Sequence, residues 1–303
     1  MNPYSYPAVE PCFNLRLKET TPRWLRYEVG FPTAKLTRSY EESKSVRGEL
    51  FRPPGDFIGP LAILVHGWGN HSVAPCQLLA KALVKRGIAS FILYLVFHSS
   101  RMPKAMKDKG LRLTPEEWFE GYQTSVIEIR QIVDWASSQK ETNKEQIAVV
   151  GMSLGGIISA ISMGVDKRIS AGIFIITGGN YENPVWLKGK RDNRKEAEYF
   201  EAQERYARYL AEVAEKGNED VNPPKESYLT DPHTFAGYLR KRPVMMINAL
   251  WDERIPKQAT LDFWKGCGQP AIRWFPSTHA SIWLFYPLIR RQIVKFLGST
   301  FGI

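Results

Sequence analysis

The stretch from Ile147 to Gly164 constrains this chain more than any other, because its apolar pattern changes period there without a break. Ile147–Met152 reads as a short buried strand, and it runs straight through Ser153-Leu154-Gly155-Gly156 into an apolar helix ending near Gly164. A strand apolar on both faces and joined directly to a helix belongs in a mostly parallel sheet covered by helices. A turn with no spacer crowds the backbone, and Gly151 and Gly155, which flank Ser153 in a G-x-S-x-G pattern, remove the Cβ clashes such a turn would cause. The turn would expose the Ser153 hydroxyl at the carboxyl edge of the sheet, where open α/β sheets bind their ligands. The plainer reading of Ser153 is an ordinary helix N-cap.

The rest of the chain repeats the alternation of buried strands and amphipathic helices. Trp24–Phe31 and Val46–Arg52 alternate apolar and polar residues and read as half-exposed edge strands, an antiparallel pair. Buried strands are predicted at Leu61–Val65, Ile88–Phe97, Ala171–Thr177, Pro243–Leu250 and Ala271–Phe275. Helices are predicted from about Pro75 to Arg86, from Thr114-Pro115-Glu116-Glu117 onward, and over Ser281–Leu297. Residues 180–242 differ in composition, with 12 basic and 12 acidic residues and several tyrosines. The middle of this stretch, Arg191–Lys216, reads as one charged helix that Asn222-Pro223-Pro224 breaks. The expected organisation is therefore an N-terminal extension with an edge strand over 1–45, an α/β core over 46–179 and 243–303, and a helical cap over 180–242.

A sharp Ser153 points to nucleophilic catalysis, for which a serine hydroxyl needs a base. The chain has five histidines. His279 stands just past the last buried strand and before the closing helix, at the same edge as Ser153. Its competitor His233 belongs to the cap, and the plainer reading of His279 is a cap of the last helix. The base in turn needs a carboxylate to hold its tautomer and stabilise the imidazolium. Asp252 follows the strand Pro243–Leu250 directly and is the preferred candidate. Glu253 beside it could take the role, and a surface turn paired with Arg254 is the alternative for Asp252.

The chain order Ser153, Asp252, His279 is that of the α/β-hydrolase fold. With HGWGN at His66–Asn70, GMSLGG at Gly151–Gly156, WDERIP at Trp251–Pro256 and STHAS at Ser277–Ser281, the sequence resembles α/β-hydrolase serine esterases, in particular the dienelactone-hydrolase-like and prolyl-oligopeptidase-like branches. The resemblance runs from about Arg47 to Leu297. It implies an oxyanion hole made by the backbone N–H groups of Leu154 and, through the His66-Gly67 loop, Trp68. It leaves His66 as a structural residue of that loop, and His71 and His98 as loop residues near the mouth.

The expected activity is hydrolysis of carboxylic esters through an acyl-enzyme, with no cofactor and no metal. A peptidase, amidase or thioesterase on the same residues, or a ligand-binding protein on a hydrolase scaffold, are the alternatives. Cys12, Cys76 and Cys267 lack both disulfide and zinc-ligand spacing. No apolar run is long enough to span a membrane. A cytoplasmic protein in a reducing compartment is expected. The net charge is +10. Because the basic residues form no dense stripe, nucleic acid is not an expected partner. A local excess at Arg101, Lys104, Lys107, Lys109 and Arg112 is a solvated loop, or else a positive rim that would draw a small ester with an apolar or anionic part.

Overall fold

The computed structural model describes residues 3–7, 12–35, 40–68, 73–104, 113–187, 196–217 and 220–303. Its centre is a nine-stranded sheet in the order β1-β2-β3-β5-β4-β6-β7-β8-β9. The strands are β1 (Asn14–Thr20), β2 (Leu25–Pro32), β3 (Ser45–Arg52), β4 (Gly59–Val65), β5 (Ala89–Tyr94), β6 (Thr142–Met152), β7 (Ile169–Ile175), β8 (Val244–Ala249) and β9 (Ala271–Phe275). From β5 to β9 every ladder is parallel. The β1–β2, β2–β3 and β3–β5 ladders are antiparallel. This arrangement is the α/β-hydrolase fold.

Helices cover both faces. On one side α1 (Ala74–Val84) and α7 (Tyr286–Phe301) pack through Leu79, Leu83, Ile289, Ile293 and Leu297 onto the apolar undersides of β4, β6, β7 and β8. On the other side α2 (Pro115–Ser138), α3 (Leu154–Val165) and α6 (Lys257–Gly266) bury Val126, Ile129, Ile157, Ile161 and Phe263. Burial of this kind is worth about 1.5–3 kcal/mol per large aliphatic or aromatic side chain, so the two layers supply the main driving force of folding. Between β7 and β8 the chain makes α4 (Glu196–Lys216) and the short α5 (Pro232–Phe235). Tyr206, Tyr209, Val213, Val221 and Tyr228 form a small separate cluster there.

Local chemistry explains the boundaries. Thr114 begins α2 with a full capping box: its hydroxyl accepts from Glu117 N–H while the Glu117 carboxylate accepts from Thr114 N–H at 2.8 Å. The closing helix differs from its predicted span, because Ser281–Phe285 is a 3₁₀ turn and the α-helix starts at Tyr286, with Pro287 in its first turn. Proline lacks an N–H and suits that position alone. Strand β6 begins at Thr142, before the apolar run that predicted it. Strand β1 was not foreseen as a separate element, and nearly all of its side chains are exposed.

The sharp turn at Ser153 rests on two close approaches. A Cβ at Gly151 would stand 2.1 Å from the Gly155 carbonyl oxygen. A Cβ at Gly155 would stand 2.4 Å from the carbonyl oxygens of both Val65 and His66. Gly155 therefore lets the first turn of α3 press against the end of β4, which sets the spacing between Ser153 and the loop after β4. Gly155→Ala is expected to push these elements apart and cost roughly 1–3 kcal/mol, the usual range for overpacking. A urea-unfolding midpoint equal to the parent's would contradict this.

Candidate active site

Three loops at the carboxyl edge of the sheet bring the candidate residues together. Ser153 sits in the turn from β6 to α3 with φ 52° and ψ −120°, a left-handed backbone that L residues rarely hold unless the surroundings enforce it. Here Ser153 N–H donates to the Ile175 carbonyl at the end of β7 (2.8 Å), and Ile157 N–H donates to the Ser153 carbonyl (3.0 Å). The side chain makes no cap bond to the helix. Ser153 therefore stands at the N-cap position of α3 without capping the helix through its side chain, and its Oγ lies instead 3.1 Å from His279 Nε2.

His279 follows β9, and its Nδ1 lies 2.9 Å from both carboxylate oxygens of Asp252. Asp252 is held in turn, since its Oδ1 also accepts from the backbone N–H groups of Arg254 (2.9 Å) and Ile255 (2.8 Å). The Asp252 side chain is only 3% exposed and that of His279 11%, so their contact is largely withdrawn from water. With Nδ1–H donated to Asp252, Nε2 is left as an acceptor facing the serine hydroxyl.

Glu253 has a different place from the one considered for it. Its Oε2 accepts the backbone N–H of His279 at 3.0 Å, so it holds the histidine's main chain and not its ring. The same loop is pinned a second way. Thr278 N–H donates to Ser281 Oγ (2.8 Å), and Ser281 N–H donates to Thr278 Oγ1 (3.1 Å). Sequence reasoning passed over this reciprocal pair, although its signal, two hydroxyl residues three apart just before a helical turn, is present in STHAS.

The loop after β4 passes beside the serine. A Cβ at Gly67 would lie 3.4 Å from the Ser153 Cβ. Trp68 comes next, and Leu154 is the first residue of α3, where a backbone N–H has no acceptor within the helix. His66 stitches this loop to the sheet: Nδ1 bonds to the Gly67 carbonyl (2.9 Å) and Nε2 accepts Leu95 N–H (3.1 Å). Burial pushes its pKa below the ordinary histidine value, so the ring stays neutral in this tautomer. His98 is buried and not a residue of the mouth, and its ring meets both His66 and Trp68 edge-on. Trp68 stacks on Trp118 with centroids 4.5 Å apart. His233 lies apart, on α5 against Tyr206 and Gly266, and burial likewise lowers its pKa.

The predicted basic rim divides. Arg101 is not at the surface, for its side chain is 1% exposed and bonded to Glu128. Lys104 is exposed. Lys107, Lys109 and Arg112 lie outside the described residues, as do Gly69, Asn70 and His71 of the loop after β4 and residues 191–195 of the predicted charged helix. Among the described residues, no group of three or more His, Cys, Asp or Glu side chains has the arrangement to hold a metal ion. Among the same residues, no helix is long and apolar enough to cross a membrane.

A family model described as alpha/beta hydrolase domain containing 18 matches residues 40–228, more than half of the chain. No curated protein matches the sequence. Among solved structures, an acetyl xylan esterase from Paenibacillus sp. R4 is similar with a TM-score of 0.70 and 16% identity, over 96% of this chain and 89% of that one. Acetyl xylan esterase 1 from Thermoanaerobacterium sp. JW/SL YS485 is similar with a TM-score of 0.67 and 16% identity, over 95% of this chain and 89% of that one. A cold-adapted esterase from an Arctic intertidal metagenomic library is similar with a TM-score of 0.60 and 16% identity, over 96% and 98% of the two chains. At such identities the likeness is one of fold.

Proposed function

The chain belongs to the alpha/beta hydrolase domain containing 18 family, and from that premise we propose that it is a serine hydrolase of small carboxylic esters. The observation that carries this reading is the continuous relay from Ser153 Oγ through His279 to Asp252, with contacts of 3.1 Å and 2.9 Å. Nε2 of His279 takes the hydroxyl proton as Ser153 Oγ attacks the ester carbonyl. Asp252 holds the ring and stabilises the imidazolium that forms. The negative charge that builds on the carbonyl oxygen is met by the N–H groups of Leu154 and Trp68. The His279 proton then passes to the leaving alcohol, and water attacks the acyl group on Ser153 with His279 again as base.

A fluorophosphonate probe tests this directly. One equivalent of label on Ser153 is the expected result, together with burst release of alcohol from an ester panel graded by acyl length. Absence of labelling on the folded protein would remove Ser153 from the nucleophile's role.

Glu253 supplies a second test of the same machinery. Glu253→Ala frees the main chain of His279 and is expected to lower kcat about tenfold with KM nearly unchanged, the effect of losing one charge-assisted hydrogen bond. Glu253→Gln keeps an acceptor oxygen and should recover most of the loss. Equal kcat values for the alanine variant and the parent would show that His279 needs no such support.

A further inference from the structure

Two segments far apart in the chain carry much of its positive charge. Residues 74–87 and 281–303 hold three basic residues each and no Asp or Glu, against a net charge of +10 for the whole sequence. Folding sets them side by side as α1 and α7 with their flanking turns, and the Tyr286 hydroxyl donates to the Pro75 carbonyl 211 positions away. A groove of about 650 Å³ runs between the two helices. Arg86, Arg290, Arg291 and Lys295 line it, with no Asp or Glu side chain among the described lining residues. Lys81 and Lys85 extend the charge over the Trp24 ring. Among the described residues, no carboxylate forms an ion pair with any of these six cations. The basic stripe that is missing along the sequence is thus present on the folded surface.

Exposed apolar side chains gather at one end of the same face. Half of the large ones left exposed among the described residues follow strands at the carboxyl edge: Leu78 in α1, Leu250 and Trp251 after β8, and Leu284 and Leu288 after β9. Trp251 is 63% exposed and directly precedes Asp252, and Leu284, in the turn just past His279, is 81% exposed. Such a cluster marks a contact surface. Leu284, Leu288, Arg291 and Lys295 are all exposed and recur at helical spacing, so one stripe of α7 and its leading turn passes from apolar to basic. At about 1.5 Å per residue, Arg291 stands about 5 Å and Lys295 about 11 Å behind Leu288. The headgroup layer outside a bilayer's hydrocarbon core is about 5–8 Å deep, and long basic side chains reach across the remainder. A nucleic acid matches the cations and leaves the leucines and Trp251 in water, whereas an anionic bilayer matches both.

We propose that the carboxyl edge and the α1–α7 face dock on a membrane surface rich in anionic phospholipid. The leucines and Trp251 enter the headgroup boundary, where tryptophan is favoured, and the arginines and lysines bind phosphate behind them. The relay then opens toward the bilayer, since Ser153, Asp252 and His279 stand on the same edge. Docking needs no turnover and is independent of the esterase reading.

Co-sedimentation with vesicles of ether-linked lipid, which contain no ester, tests it. The parent is expected to bind phosphatidylcholine vesicles carrying phosphatidylglycerol, to bind pure phosphatidylcholine far more weakly, and to lose affinity as salt rises. Arg291→Ala/Lys295→Ala should weaken binding about 20-fold, since each cation near an anionic surface contributes about a factor of five. Leu284→Ser/Leu288→Ser, which keeps every charge, should weaken it about tenfold. All four side chains are exposed, so thermal melts of both variants should match the parent's. Equal binding to charged and uncharged vesicles, or parent-like affinity in the arginine–lysine variant, would overturn the proposal. Duplex DNA provides the competing polyanion. DNA binding that survives in the leucine variant, with its vesicle binding unchanged from the parent's, would assign the face to nucleic acid instead.

Discussion

Ser153→Ala is expected to lower turnover of 4-nitrophenyl esters by on the order of 10⁶, with the fold intact. The size follows from the way the relay is built. His279 Nε2 has one acceptor position aimed at the serine oxygen, and Asp252 holds its other nitrogen with both carboxylate oxygens at 2.9 Å. Groups coupled in this manner act as a unit, so removing the nucleophile forfeits what the base and its carboxylate contribute as well. The magnitude is the one known for the subtilisin triad. Alanine also removes a hydroxyl whose φ of 52° is enforced by its neighbours and not by the side chain, so stability should change little. Steady-state kinetics, circular dichroism and thermal melts together decide the matter. A folded variant that keeps more than about a hundredth of the parent rate would place the nucleophile elsewhere, since loss of a lone supporting hydrogen bond accounts for no more than that.

Glu128→Gln is expected to destabilise the protein by about 3–5 kcal/mol, the usual cost of stranding one member of a buried ion pair. Arg101 and Glu128 are 1% and 0% exposed and meet in a two-pronged pair, both contacts at 2.7 Å. The guanidinium also donates to the carbonyl oxygens of Tyr94 (2.8 Å) and Ser43 (3.0 Å). One side chain thereby joins β5, the turn before β3 and the middle of α2. Neutral glutamine leaves that cation buried with a weaker partner. The double replacement Arg101→Met/Glu128→Leu removes both charges and should recover most of the loss, as matched apolar pairs generally do. Urea unfolding measures each variant. Single and double variants with equal midpoints would mean that the pair has no special stake in the fold. Arg101 N–H also donates to the His98 carbonyl, and the His98 ring abuts Trp68. The single variant should therefore lose ester turnover well below its melting temperature.

Much of the site is legible in the sequence because its signals are local. The glycines at 151 and 155, the carboxylate just past a strand end and the histidine before the last helix each depend on a few adjacent residues. The rest depended on partners far away in the chain. Arg101 was grouped with a solvated basic run because its neighbours are basic, whereas its partner Glu128 lies 27 positions on. Glu253 was weighed for the wrong half of His279, since nothing in WDERIP tells a ring contact from a main-chain contact 26 positions away. Strand β1 has only a short alternation, Leu15 and Leu17 between polar residues, and both leucines stay exposed, so what orders it is backbone pairing to the edge of β2.

By itself the amino-acid order determined the period of most elements, the steric relief at the serine turn and the succession of serine, acid and histidine along the chain. These follow from backbone sterics and side-chain periodicity over a few residues. Only the folded chain decided which charges left water and which carboxylate holds the histidine's ring. A charge's fate depends on the dielectric and the partner it finds on folding, and neither is a property of its neighbours in the chain.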